Sequence, residues 1–116
     1  MKDTLKELAG VLPEKYCADY STTVKDKPFL FLVDPTTTQS CTIGGVNTAI
    51  KDSAGTTILL QSIEEKGQPW YLYNELRGGT ESYIIKTYND DGEILLHFGE
   101  TIAEAVAKAA LEVHKR

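Results

Sequence analysis

Asp34 closes an apolar run, Phe29-Leu30-Phe31-Leu32-Val33, at the kind of strand exit where catalytic and metal-binding carboxylates often stand. A metal or phosphoryl-transfer site wants a second acid close by, and Pro35-Thr36-Thr37-Thr38 supplies none. The same residues suit an Asx turn, in which the Asp side chain accepts from the backbone two residues on. Cys17 and Cys41 are the only cysteines, and a thiol–imidazole nucleophile would need one of them beside His97 or His114. With no CxxC spacing they make neither a zinc site nor a disulfide framework, and a bridge between them requires neighbouring strands. His114 falls on the last turn of a helix, where it can settle free carbonyls. His97 alternates with Ile94, Leu96 and Phe98 and is expected to point away from the core. These residues predict no catalytic group, no metal site and no cofactor, and the chain is not read as an enzyme.

Two glycine pairs are candidates for holding an anion. Gly44-Gly45 has no cation nearby, whereas Arg77-Gly78-Gly79-Thr80 contains one of the two arginines of the chain. Successive backbone N–H groups at such a turn can cradle an anion, with Arg77 as a bidentate clamp. The ordinary reading is a hairpin loop whose glycines supply positive φ. On either side of that loop stand Trp70, Tyr71, Tyr73, Tyr83 and Tyr88. Tyr73 and Tyr83 are expected as cross-strand neighbours, with Tyr71 on the same face. Tyrosine joins a large contact area to a polar tip and is enriched at interfaces. The candidate partner- or ligand-binding residues are therefore Tyr71, Tyr73, Tyr83, Arg77, Gly78, Gly79 and Thr80. Tyrosines half-buried in a twisted sheet are the alternative.

The elements that must position these residues follow from periodicity. Thr4 to Leu12 reads as a short helix, with Leu5, Leu8, Ala9 and Leu12 on one face and Pro13 as its stop. From Tyr16 the period becomes two, through Ala18, Tyr20, Thr22 and Val24 to a turn at Lys25-Asp26-Lys27-Pro28. Phe29 to Val33 is apolar on both faces, as a mid-sheet strand would be. Cys41 and Ile43 alternate, Gly44-Gly45 reads as a bulge or bend, and Val46, Thr48 and Ile50 continue on the other parity. An Asp52-Ser53-Ala54-Gly55 turn then leads to a strand over Thr57–Ile63. Trp70–Leu76, Ser82–Tyr88 and Ile94–Phe98 complete the strands, the last two joined by an Asn89-Asp90-Asp91-Gly92 turn. Connections this short suit antiparallel neighbours.

The closing helix, Thr101 to His114, carries a capping box at Thr101 and Glu104. Ile102, Val106, Ala109 and Val113 form the stripe expected to pack on the sheet. Ala103, Ala107, Ala110 and Leu111 make a second shoulder for another helix, either the N-terminal one or one from a second copy. Ala103, Ala107 and Leu111 are thus the candidate oligomer interface. The expected fold is a single α+β domain over residues 1–116. Its sheet is an antiparallel meander of about five to seven strands, with a short N-terminal and a longer C-terminal helix.

The net charge of −5 disfavours direct contact with nucleic acid or an anionic membrane. No apolar run is long enough to span a bilayer and no signal segment opens the chain, so a cytoplasmic protein is expected. Residues 83–111, YIIKTYNDDGEILLHFGETIAEAVAKAAL, resemble the closing strand pair and helix of small phage-encoded α-β-α (ABA) sandwich proteins. Those proteins likewise end in an aspartate-glycine hairpin and an alanine-rich capped helix. The middle of the chain departs from that pattern, with strands where the phage domain places a helix, and no functional residue carries over. What the resemblance implies is a mobile-element accessory, a setting in which small acidic inhibitors and ligand-sequestering proteins are common. The function expected is that of a non-catalytic, homo-oligomeric binding protein acting on a host protein as an anti-defence inhibitor. The alternative is a protein that binds or sequesters a nucleotide or another phosphate-bearing ligand.

Overall fold

Alternation of period two and apolar spacing of 3.6 residues divide this chain into two sheets separated by helices. The computed structural model describes residues 2–22, 26–44 and 48–116, without the side chains of residues 48–52 and 77. Helix α1 (Lys2–Val11) buries Leu5 and Leu8 and stops ahead of Pro13. Strands β1 (Asp19–Thr22), β2 (Pro28–Val33) and β3 (Ser40–Gly44) form one antiparallel sheet with β2 at its centre. That is where the doubly apolar Phe29–Val33 run was expected. Tyr16, read as the start of that first strand, instead ends a 3-10 turn over Glu14–Tyr16 and is fully buried. Val24, Lys25, Gly45 and Val46 lie outside the described residues.

The main correction concerns the middle of the chain. Helix α2 runs from Thr48 to Glu65 where two strands and a turn were expected. The β-branched run Thr56-Thr57-Ile58 imitates a strand, but Gly55, Ile58, Leu59 and Ser62 stand at i, i+3, i+4 and i+7, and all four are buried. Gly55 serves packing and not a turn. A Cβ there would run into the Ile43 side chain and stand 3.1 Å from the Thr42 carbonyl oxygen. This lets α2 press closely on β3.

Strands β4 (Tyr71–Arg77), β5 (Thr80–Tyr88) and β6 (Ile94–Gly99) form the second antiparallel sheet, in the order β4-β5-β6. The fold is therefore α+β with two three-stranded sheets, not one meander. The Asn89–Gly92 turn joins β5 to β6 as read, with Asn89 Oδ1 accepting from the Asp91 and Glu93 amides at 3.0 and 2.8 Å. Helix α3 (Ile102–Lys115) begins at the expected cap, Thr101 Oγ1 accepting from the Glu104 amide at 3.1 Å.

Helices α1 and α2 lie on the first sheet, and α3 packs against both of them and, on its other side, against β5 and β6. A helix covered on both sides must be apolar nearly all round. Accordingly Ala103, Ala105, Val106, Ala107, Ala109, Ala110 and Val113 are all buried. The alanines let three elements approach one axis. The two terminal helices thus sit on different sheets and do not share one face. Arg116 ties the far end of α3 down, donating to Glu112, to Gln68 Oε1 at 2.8 Å and to the Tyr88 carbonyl.

Candidate functional site

The register of the second sheet decides which side chains share a face. Tyr73 pairs with Ile84 and Ile84 with Phe98; Tyr71 pairs with Lys86 and Lys86 with Leu96; Tyr88 pairs with Ile94. These three rows make one face. The opposite face carries Ile85, Thr87, Tyr83 and His97 and is the one that packs on α3: Ile85 and Tyr83 belong to the core cluster with the α3 alanines. Ile84 is equally buried but lies outside that cluster. It is buried by its own sheet's outer side chains.

Around Ile84 the outer face is apolar and open. Tyr71 is 54% exposed, Tyr73 43%, Ile94 58%, Leu96 44% and Phe98 40%. At about half of a large side chain each, they present on the order of 500 Å² of apolar surface, in the upper range for the largest patch on a monomer. Among the described side chains, one cation sits in this patch. The Lys86 ammonium stands 4.9 Å from the Tyr71 ring centre and 5.8 Å from that of Tyr88. Cation–π attraction holds it over the rings, with its stem on the apolar surface.

Two expectations about this sheet are corrected. Tyr83 pairs with Asn74, not Tyr73, so it faces inward and is half-buried against the core. The cause is a slip of one residue: the turn holds Gly78 and Gly79, at φ 56° and 82°, which makes Arg77 and Thr80 the closing pair. His97 points inward, where its Nε2 meets the buried Thr87 hydroxyl at 3.0 Å, while Ile94, Leu96 and Phe98 point outward. β6 is apolar on both parities, because Leu95 joins them, so alternation alone could not tell inside from outside. Lys86, Ile84, Leu96 and Phe98 were therefore missed as site residues.

The remaining candidates are placed as follows. Gly78, Gly79 and Thr80 belong to the β4–β5 hairpin, whose two positive-φ glycines are the backbone requirement of a type I′ turn. Arg77 ends β4, and its side chain lies outside the described residues. Ala103 and Ala107 are buried in the core, and Leu111 packs against it. Ala103 and Ala107 are thus closed to a second copy, while Leu111 is half-buried and lines an open groove with Lys108 and Lys115. Asp34 forms the Asx turn, accepting from the Thr36 amide at 2.9 Å. It shares a cavity of about 200 Å³ with Cys41, whose thiol is pushed up by burial and then by the Asp34 charge. Cys17 and Cys41 are both free: Cys17 caps the 3-10 turn ahead of β1, whereas Cys41 stands on β3, across β2 from that strand.

His114 Nε2 lies 3.0 Å from Ser62 Oγ, and Ser62 donates on to the Leu59 carbonyl at 2.6 Å. Ser62 is fully buried and this chain of bonds joins α3 to α2. Tyr16 donates to Glu65 Oε2 at 2.7 Å, and Lys15 pairs with the same oxygen at 2.5 Å. Burial and that bond hold the Tyr16 hydroxyl well above the ordinary phenol range, while Lys15 and Tyr16 hold Glu65 below the ordinary carboxylate range. Among the described residues no three metal-ligating side chains cluster, and no helix is long and apolar enough to cross a membrane. Set against family models, curated proteins and solved structures, the chain matches none.

Proposed function

We propose that this chain is a small non-catalytic binding protein that engages a protein partner through the outer face of the β4-β5-β6 sheet. One observation carries the reading: Ile84 is buried outside the core, within a ring of half-exposed Tyr71, Tyr73, Leu96 and Phe98. An apolar patch in this size range is often a functional surface on a monomer. Lys86 in its middle specifies the partner further, as an apolar surface bearing an acidic group that meets the ammonium. The polar ends of the two tyrosines supply hydrogen bonds at the rim. The glycines of the Arg77–Thr80 turn have their full reason in its backbone, which favours the face over the turn as the binding site. The resemblance of residues 83–111 to phage sandwich proteins supports seeking the partner in a host cell.

The test is comparative capture from host lysate, with wild-type chain and with Tyr73→Lys combined with Leu96→Glu. Both positions are exposed, so the fold should persist, which circular dichroism checks. Loss of one discrete partner from the variant supports the face; retention of every captured protein overturns it.

A further inference from the structure

Strand β4 is one edge of its sheet, and α3 packs chiefly on β5 and β6. Arg77 and Thr80 close a two-residue hairpin, so they form a hydrogen-bonded pair, as do Glu75 with Ser82, Tyr73 with Ile84 and Tyr71 with Lys86. The intervening Leu72, Asn74 and Leu76 therefore direct their backbone N–H and C=O groups away from β5. An open ladder of this kind is a template for another strand. Natural edges usually carry a proline, a bulge or an inward charge; β4 pairs with β5 without a bulge over its whole length and contains no proline. Its two leucines are exposed as well, Leu72 38% and Leu76 74%.

We infer that β4 pairs with β4 of a second copy, antiparallel about Asn74, joining two three-stranded sheets into one. The strand is complementary to itself in this register. Asn74 meets Asn74, and Leu72 meets Leu76 twice, covering the two exposed leucines with each other. Tyr73 then stands opposite Glu75, and Tyr71 opposite Arg77. The residues so paired through hydrogen bonds are the three whose backbone groups are open, so the parity of the ladder agrees with the parity of the side chains. A two-fold axis normal to the sheet also keeps both outer faces on one side. The apolar surface of the two outer faces then totals roughly 1,000 Å² on one side of the joined sheet.

The experiment is sedimentation equilibrium on the full chain, over a range of concentrations. Wild type should show a concentration-dependent species of twice the chain mass. Asn74→Pro removes an N–H that the chain's own ladder does not use, and should weaken association roughly tenfold or more. Leu72→Lys and Leu76→Glu should each weaken it, and the two together should restore it, because this register sets position 72 of one copy against position 76 of the other, ammonium against carboxylate. A wild type that stays monomeric overturns the inference, as does a dimer indifferent to Asn74→Pro or a double variant without rescue. The edge variants leave Tyr73, Ile84, Leu96 and Phe98 intact. A monomer that still captures its partner through those residues would remove the dimer and leave the binding role standing.

Discussion

Gly55 shows how one residue can be misread when its neighbours are unseen. In an exposed helix interior, replacing Gly by Ala stabilises by about 1 kcal/mol. Here the added methyl would enter space already held by Ile43 and the Thr42 carbonyl. Gly55→Ala should therefore destabilise, by about 1–3 kcal/mol as for other overpacked sites, and a urea midpoint that rises would contradict the close seat of α2 on β3. The two histidines make a second prediction at this scale. Burial is the first cause holding both His97 and His114 below the ordinary imidazole value of about 6.5. In the unfolded chain they take up protons at higher pH than in the folded one, so folding stability is fully present above about pH 6.5 and falls as the pH drops through their folded values. Thermal denaturation from pH 8 down to pH 5 should show a falling Tm. Changing His97 and His114 together to Gln should flatten that slope, and an unchanged slope would contradict the assignment.

At the scale of elements, the part of the chain that could be read was the part with local punctuation. The Asn89–Gly92 turn and the Thr101 cap each act within four residues, so β5, β6 and α3 were legible. Helix α2 was not, because its β-branched residues favour a strand locally and only packing on β3 and α3 reverses that preference. The orientation of β6 was hidden for a related reason. Both of its parities are apolar, and the choice is made where Gly99 passes so close to α3 that a Cβ there would lie 2.9 Å from the Thr101 carbonyl oxygen. That orientation gives a contrast to measure. Ile85→Ala, on the inner face, should lose about 2–5 kcal/mol of stability. Leu96→Ser, on the outer face, should change it by less than about 1 kcal/mol. Equal losses from the two would mean that the outer face is covered within the monomer.

For the whole molecule, the binding role was legible only in outline. Tyr71 and Tyr73 could be named in advance as members of an aromatic face, but Tyr83 was assigned to it by a slip of one residue, and Lys86 and Ile84 become visible only once three strands are in register. The interior is complete without that face: α3 lies between the two helices on one side and the sheet on the other, and every alanine along its length is buried in this arrangement. What is left over is a patch of apolar surface around the Lys86 ammonium. The most direct test places a photo-crosslinking phenylalanine analogue at position 73, at position 98 or, as a control on the far side of the molecule, at Thr57 of α2. Discrete adducts with one host protein at positions 73 and 98, and none at 57, are the predicted result. Adducts at 57 alone, or none at 73 and 98, would contradict a binding role for the outer face.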